Sequence, residues 1–139
     1  MTKKLRRRVF IETSVKGMAA ASLLTAASCS RTDTREFGQR FVHHVFFWLK
    51  MPVTQEVRDK FEKALKDLVT IETISEYHLG IPASTSREVI DSSYTYSLLT
   101  TFRDKVGQDI YQEHPTHLQF IEGCKDLWER VVVYDSISI

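Results

Sequence analysis

Five histidines (His43, His44, His78, His114 and His117) and two cysteines (Cys29 and Cys124) carry much of the reactive chemistry in this 139-residue chain. The tightest cluster is Glu113-His114-Pro115-Thr116-His117, where two imidazoles stand at i and i+3 beside a carboxylate. That spacing suits a pair of transition-metal ligands. A residue before proline is pushed out of helical geometry, so the two rings need not share a face, and no third ligand is clear. No resident metal is therefore expected. Loop carbonyls with Asp91 could hold a hard cation, but no spacing marks them. Pro115 suits the first turn of a helix, which places His117 near a helix amino terminus. The positive end of a helix disfavours an imidazolium, so His117 is expected to be neutral and able to accept a proton at neutral pH.

The remaining candidates read more plainly. His43 points opposite to His44 on a strand, toward the helices, as a core histidine with a hydrogen-bond partner. His78 falls on a strand surface. Cys124 lies among core residues of a helix and behaves as a small hydrophobe. No serine or cysteine is set up as an activated nucleophile. Asparagine is absent, which excludes N-glycosylation sequons and the asparagine of a papain-type triad.

These residues need elements to position them. Phe41 to Lys50 (FVHHVFFWLK) is aromatic and β-branched, a strand apolar on both faces. Thr54 caps a helix to about Thr70, with Val57, Phe61, Ala64, Leu65 and Leu68 inward and a Glu62–Lys66 pair outside. Ser75 to Ile81 reads as a second strand, followed by a polar loop from Pro82 to Ser92. Ser93 to Phe102 alternates, with Tyr94, Tyr96, Leu98, Thr100 and Phe102 sharing one face. Asp104 caps a short helix to about Gln112. A further helix runs from Pro115 to about Trp128, with Leu118, Ile121, Cys124 and Trp128 inward, and Arg130 to Ser136 closes the fold as a strand.

Strand-helix-strand-strand-helix-strand is the ferredoxin-like βαββαβ order, an α+β fold whose crossovers put the helices on one side of an antiparallel sheet. The first and last strands are apolar toward both sides, and so few helical residues can cover only one. An uncovered sheet face of several hundred Å² is rare in a soluble monomer. A second copy packed face to face is the simplest remedy, so a homodimer enclosing a barrel-like apolar interior is expected. A small apolar or aromatic ligand would suit that interior, and Phe46, Trp48, Tyr96 and His114 are read as its contacts.

The first 29 residues read as an address. A basic run ends in Arg6-Arg7-Arg8, and Gly17 to Ser28 is uncharged, small and too short to span a bilayer. Arg7-Arg8-Val9-Phe10-Ile11 resembles the twin-arginine export motif. Cys29 follows Ala26-Ala27-Ser28, as at a bacterial lipoprotein processing site, so residues 30–40 would be a tether and 41–139 the domain. Cleavage at a nearby small-x-small site is the alternative, leaving a soluble periplasmic protein. Either way the location is the periplasm or cell envelope, with membrane attachment only through Cys29 or the signal. Six of the 19 basic and one of the 18 acidic residues precede Cys29, so the remainder is net acidic. A mildly acidic body without a basic stripe argues against nucleic-acid binding.

His44-Val45-Phe46-Phe47-Trp48-Leu49-Lys50, Tyr111 to Leu118 (YQEHPTHL) and Trp128 to Asp135 (WERVVVYD) together resemble the stress-responsive A/B barrel (Dabb) family over Phe41 to Asp135. The resemblance implies a dimeric α+β barrel. The family includes boiling-stable plant stress proteins, a plant polyketide cyclase and many bacterial members of no known activity. In the cyclase a strand-one histidine, a tyrosine and the second histidine of His-Pro-x-His surround the substrate, and by position these match His44, Tyr111 and His117. His117 would be the base, with Tyr111 donating to a carbonyl or enolate and His44 bridging from the strand. The resemblance thus implies a small-molecule-binding or stress-response module. A cofactor-free lyase or cyclase is the alternative, and a haem-handling or monooxygenase-like protein is a third. No cofactor is expected. The export signal and bulky Trp48 depart from the plant enzyme, so its substrate is not transferred.

Overall fold

A computed structural model of the chain describes residues 38–139. The expected export signal, Cys29 and most of the tether lie outside the described residues. Seven elements follow in order: β1 (Phe41–Leu49), α1 (Gln55–Leu68), β2 (Ile74–Gly80), β3 (Tyr96–Phe102), α2 (Lys105–Glu113), α3 (Pro115–Cys124) and β4 (Trp128–Ile137). The strands form one antiparallel sheet in the order β2-β3-β1-β4. This is the expected ferredoxin-like α+β fold, with its second helical arm broken in two at His114-Pro115. No helix among the described residues is long and apolar enough to cross a membrane.

Local chemistry explains the boundaries. Thr54 accepts the amide of Val57 through its hydroxyl, and Asp104 accepts that of Gly107 through its carboxylate, so both helices begin on a side-chain cap. Phe61, Leu65 and Leu68 form the buried stripe of α1, with Val57 and Ala64 packed beside them. The expected Glu62–Lys66 pair is not formed. Glu62 instead accepts the Tyr96 hydroxyl at 2.7 Å, and the i,i+4 pair on this helix is Lys63–Asp67. A partly buried phenol offers Glu62 a better-placed partner than a solvated ammonium does.

Two further expectations need correction. The helix beginning at Pro115 stops at Cys124, not Trp128, and Trp128 opens β4. Its inward residues are Phe120 and Cys124, whereas Leu118 is 56% and Ile121 38% exposed. Tyr94 does not share a face with Tyr96. It precedes the strand, where alternation does not yet apply, and packs on Phe46 at 4.9 Å across the opposite side of the sheet.

All three helices cover one face. Val45, Phe47 and Leu49 of β1 meet Phe61, Leu65, Leu68, Leu98, Phe102, Phe120 and Cys124 in the core. Phe61 is its hub, with ring neighbours Phe47, Tyr96, Phe120 and Trp128 at 5.2–6.1 Å. The other face carries Val42, His44, Phe46 and Trp48. Antiparallel register places Leu99 of β3 and Val132 and Tyr134 of β4 beside them. No element of the described chain lies over this face.

Candidate functional site

The His-Pro break is the hinge on which the site is built. His114 is extended (φ −64°, ψ 135°), as a pre-proline residue must be, and serves both as the last cap of α2 and the first cap of α3. Its Nδ1 accepts the Thr116 amide at 3.1 Å, and its Nε2 lies 3.5 Å from the Glu72 carboxylate. Both ring nitrogens are therefore engaged in the helix junction. Among the described residues no group of three or more His, Cys, Asp or Glu side chains is placed to hold a metal.

The break turns Tyr111 at the end of α2 and His117 at the start of α3 toward each other, with ring centroids 4.6 Å apart. On the other side of Tyr111, at 5.9 Å and edge-on, stands His43 of β1. These three rings line a cavity of about 160 Å³ between the sheet and α2–α3, whose remaining walls include Val45, Phe47, Leu98 and Phe120. His44 is not in it. A β-strand turns successive side chains to opposite faces, so His44 lies on the open face against Phe46 (4.2 Å), and it cannot bridge to Tyr111 or His117.

Each histidine in the chamber is oriented by a bond at Nδ1. His43 Nδ1 lies 2.6 Å from Asp135 Oδ1, its cross-strand partner on β4, and an ionised carboxylate can only accept, so Nδ1 carries the proton. His117 Nδ1 lies 3.0 Å from the Gln112 carbonyl and donates to it for the same reason. In its neutral form each ring is thereby fixed as the tautomer whose Nε2 offers a lone pair. Burial is the main cause lowering the His117 pKa, with the charges of His43 and His114 adding to it and the Gln112 bond opposing it. Burial also pushes the Tyr111 phenol well above its ordinary range, keeping it a proton donor. No hydrogen bond to the Tyr111 hydroxyl is formed within the described residues, so that donor is available to a ligand.

His43 and Asp135 are the site residues that sequence reasoning missed. His43 is indeed buried and hydrogen-bonded, as a core histidine should be, but the same position makes it a chamber wall. Its signal was in the alternation: Val45 and Phe47 face the helices, so His43 must too. Of the other expected contacts, Phe46 and Trp48 lie on the open face, the one a face-to-face dimer would enclose, and His114 is committed to the helix junction. Tyr96 packs under α1, bonded to Glu62, beside a groove lined by Leu65, Lys66, Leu79 and Ile81.

The depressed pKa values have a thermodynamic consequence. His117 and His44 both sit below the ordinary histidine pKa of 6.5, His44 through burial and then the charges of His78 and His43. Both are neutral in the fold, while the unfolded chain takes up protons below that value. Their contribution to stability is full above pH 6.5 and lost as the pH falls through their folded values. Thermal melts should be level from about pH 8 to 7 and fall steadily toward about pH 5, with a shallower fall in His117→Asn. An unchanged slope in that variant would remove His117 from the account.

Four antiparallel strands covered on one face by three helices define a ferredoxin-like α+β protein with a titratable chamber between the layers. Residues 41–138 match the model of the Stress responsive A/B Barrel Domain (Dabb) family, and the chain belongs to that family. No curated protein matches the sequence. Among similar solved structures is a Dabb family protein with a ferredoxin-like fold from Mesorhizobium loti, 21% identical (TM-score 0.61; 73% of this chain, 98% of that one). A dimeric ferredoxin-like protein of unknown function from Thermobifida fusca is 18% identical (TM-score 0.60; 76% and 97%). A hydroxynitrile lyase from Passiflora edulis is 20% identical (TM-score 0.63; 73% and 94%). At such identities the likeness is one of fold.

Proposed function

We propose that this chain is a homodimeric small-molecule-binding protein whose chamber moves a proton on a small, largely apolar carbonyl or hydroxyl compound, without a cofactor. The observation that carries this reading is the convergence of Tyr111 with two histidines, each bonded at Nδ1 and each with an unengaged Nε2 among the described residues. His117, neutral, takes a proton from a C–H beside a carbonyl or from a hydroxyl. Tyr111 donates to the oxygen on which charge develops, and His43, steadied by Asp135, is the second base or acid. The chamber's volume limits the ligand to roughly ten heavy atoms, given about 160 Å³.

A hydroxynitrile lyase on the same fold makes cyanohydrins a rational probe. The hydroxyl proton would pass to His117, the bond between carbon and cyanide would break, and the cyanide would leave with a proton returned by the imidazolium, giving an aldehyde and hydrogen cyanide. Cleavage of mandelonitrile, and hydrogen–deuterium exchange of small ketones followed by NMR, test the two forms of proton transfer. His117→Ala and Tyr111→Phe should each lower the responding rate by about 100-fold or more. A wild-type protein that catalyses neither above the buffer rate speaks against turnover, and a ligand held unchanged in the chamber would leave binding as the function.

The dimer rests on the uncovered sheet face and on the dimeric state described for similar proteins. The cell-envelope location rests on the Arg7-Arg8-Val9-Phe10-Ile11 run and on Cys29 after Ala26-Ala27-Ser28. Mass spectrometry of membrane and periplasmic fractions reads it: a lipidated Cys29 indicates an anchor, and a soluble species cleaved nearby indicates the periplasm.

A further inference from the structure

The open face of the sheet holds a second cavity, separated from the Tyr111 chamber by the sheet itself. It measures about 140 Å³ and is lined by Phe46, Trp48, Tyr94, Tyr134 and Asp91: four aromatic rings and one carboxylate. Phe46 is the centre, with Tyr94 at 4.9 Å and Tyr134 at 6.1 Å, both edge-on, and Tyr94 stands 6.5 Å from Trp48.

The walls are fixed in place. Trp48 donates its indole N–H to the Ser93 hydroxyl at 3.0 Å, and the Ser93 amide donates to Asp91 Oδ1 at 2.8 Å. Two residues on, the Thr95 amide donates to the Phe47 carbonyl (2.8 Å), and the Thr95 hydroxyl accepts the Leu49 amide (3.0 Å). Tyr94 is thus pinned between two anchored neighbours, and Asp91 is held beside it. The Ser93 bonds also lower the Asp91 pKa, so the carboxylate is charged at neutral pH.

Aromatic rings present negative faces, and several around one space, with a carboxylate at the rim, attract a diffuse cation that water solvates weakly. The protein already shows the attraction: the Arg130 guanidinium lies 4.2 Å over the Trp48 ring, outside the cavity. The Arg130 charge also acts on Asp91, and Ser93 engages one of its carboxylate oxygens, Oδ1. We propose that this cavity binds a small quaternary or alkylated ammonium ion, with Phe46, Trp48, Tyr94 and Tyr134 around the methyl groups and Asp91 as counter-ion. The site lies at the Trp48 end of the sheet, beside the loop that carries Asp91. It is independent of the proton-transfer reading.

Choline is the probe, and 3,3-dimethylbutan-1-ol, its uncharged isostere, is the control. Titration of the purified full chain by calorimetry, with NMR of the ligand methyl protons, should give saturable choline binding near the millimolar range and an upfield methyl shift from the rings. The neutral alcohol should bind about tenfold more weakly, and Asp91→Asn, which keeps the acceptor for Ser93, should lose a similar factor. Tyr134→Leu, at a position 64% exposed in the protomer, should abolish the shift while the circular dichroism spectrum stays that of wild type. His117→Ala should bind choline like wild type, which separates this site from the chamber. Phosphatidylcholine vesicles distinguish a free ion from a lipid headgroup, and no co-sedimentation is expected. Equal binding of alcohol and choline, no saturable choline binding up to about 50 mM, or co-sedimentation without a choline signal would each overturn the assignment.

Discussion

Truncating Phe61 to alanine is expected to cost about 3–5 kcal/mol of stability, the range for emptying a well-packed aromatic site. The ring is fully buried and touches Phe47, Tyr96, Phe120 and Trp128, so its loss opens a void shared by α1, α3 and three strands. None of those neighbours can close it alone, since each is held by its own element. For a domain of about 100 residues such a loss lowers the melting temperature by roughly 15–30 °C. Circular dichroism melts of Phe61→Ala and Phe61→Leu read this directly. A loss under about 1 kcal/mol in the alanine variant would show that the cluster is not the hub described.

Placing a lysine at Leu99 should split the proposed dimer and leave the protomer folded. Leu99 lies on the open face, in register between His78 of β2 and His44 of β1, away from the helix-packed core. Two-fold pairing of this face would bury two unpaired ammonium groups, each costing several kcal/mol, so association should weaken by roughly 10³-fold or more. Sedimentation equilibrium at about 10 µM should find wild type at twice the subunit mass and Leu99→Lys at one. The variant's circular dichroism should match wild type. A wild-type protein that is monomeric at that concentration would remove the face-to-face dimer, and a Leu99→Lys protein that stays dimeric would move the contact to another surface.

Much of the architecture was legible because amphipathic helices and turn residues announce themselves. Thr54 and Asp104 cap helices where their side chains predicted, and the inward stripe of α1 follows its 3.6-residue period. The faces of β1 were harder. A strand with aromatic residues on both sides gives alternation little contrast; it still puts His43 toward the helices and His44 opposite, but it does not show that the helix side, and not the His44 side, holds the chamber. Tertiary packing decides that: His43 shares its side with Val45, Phe47 and Tyr111. The end of α3 was illegible for a related reason. No glycine or proline follows Cys124 to stop the helix, and Lys125 keeps a right-handed conformation at the cap, so the chain turns into β4 without a local signal. Asp135 could be placed opposite His43 only once the β1–β4 register was known.

The His43–Asp135 pair joins two very different surroundings. The imidazole is nearly sealed from solvent, whereas the carboxylate that holds it is 45% exposed on the edge strand. On the proposed proton-transfer reading, a charge gathered at His43 would meet bulk water one residue away, at Asp135, without opening the helical layer. Exchange of that proton would then be governed by buffer contact at the outer rim of the sheet.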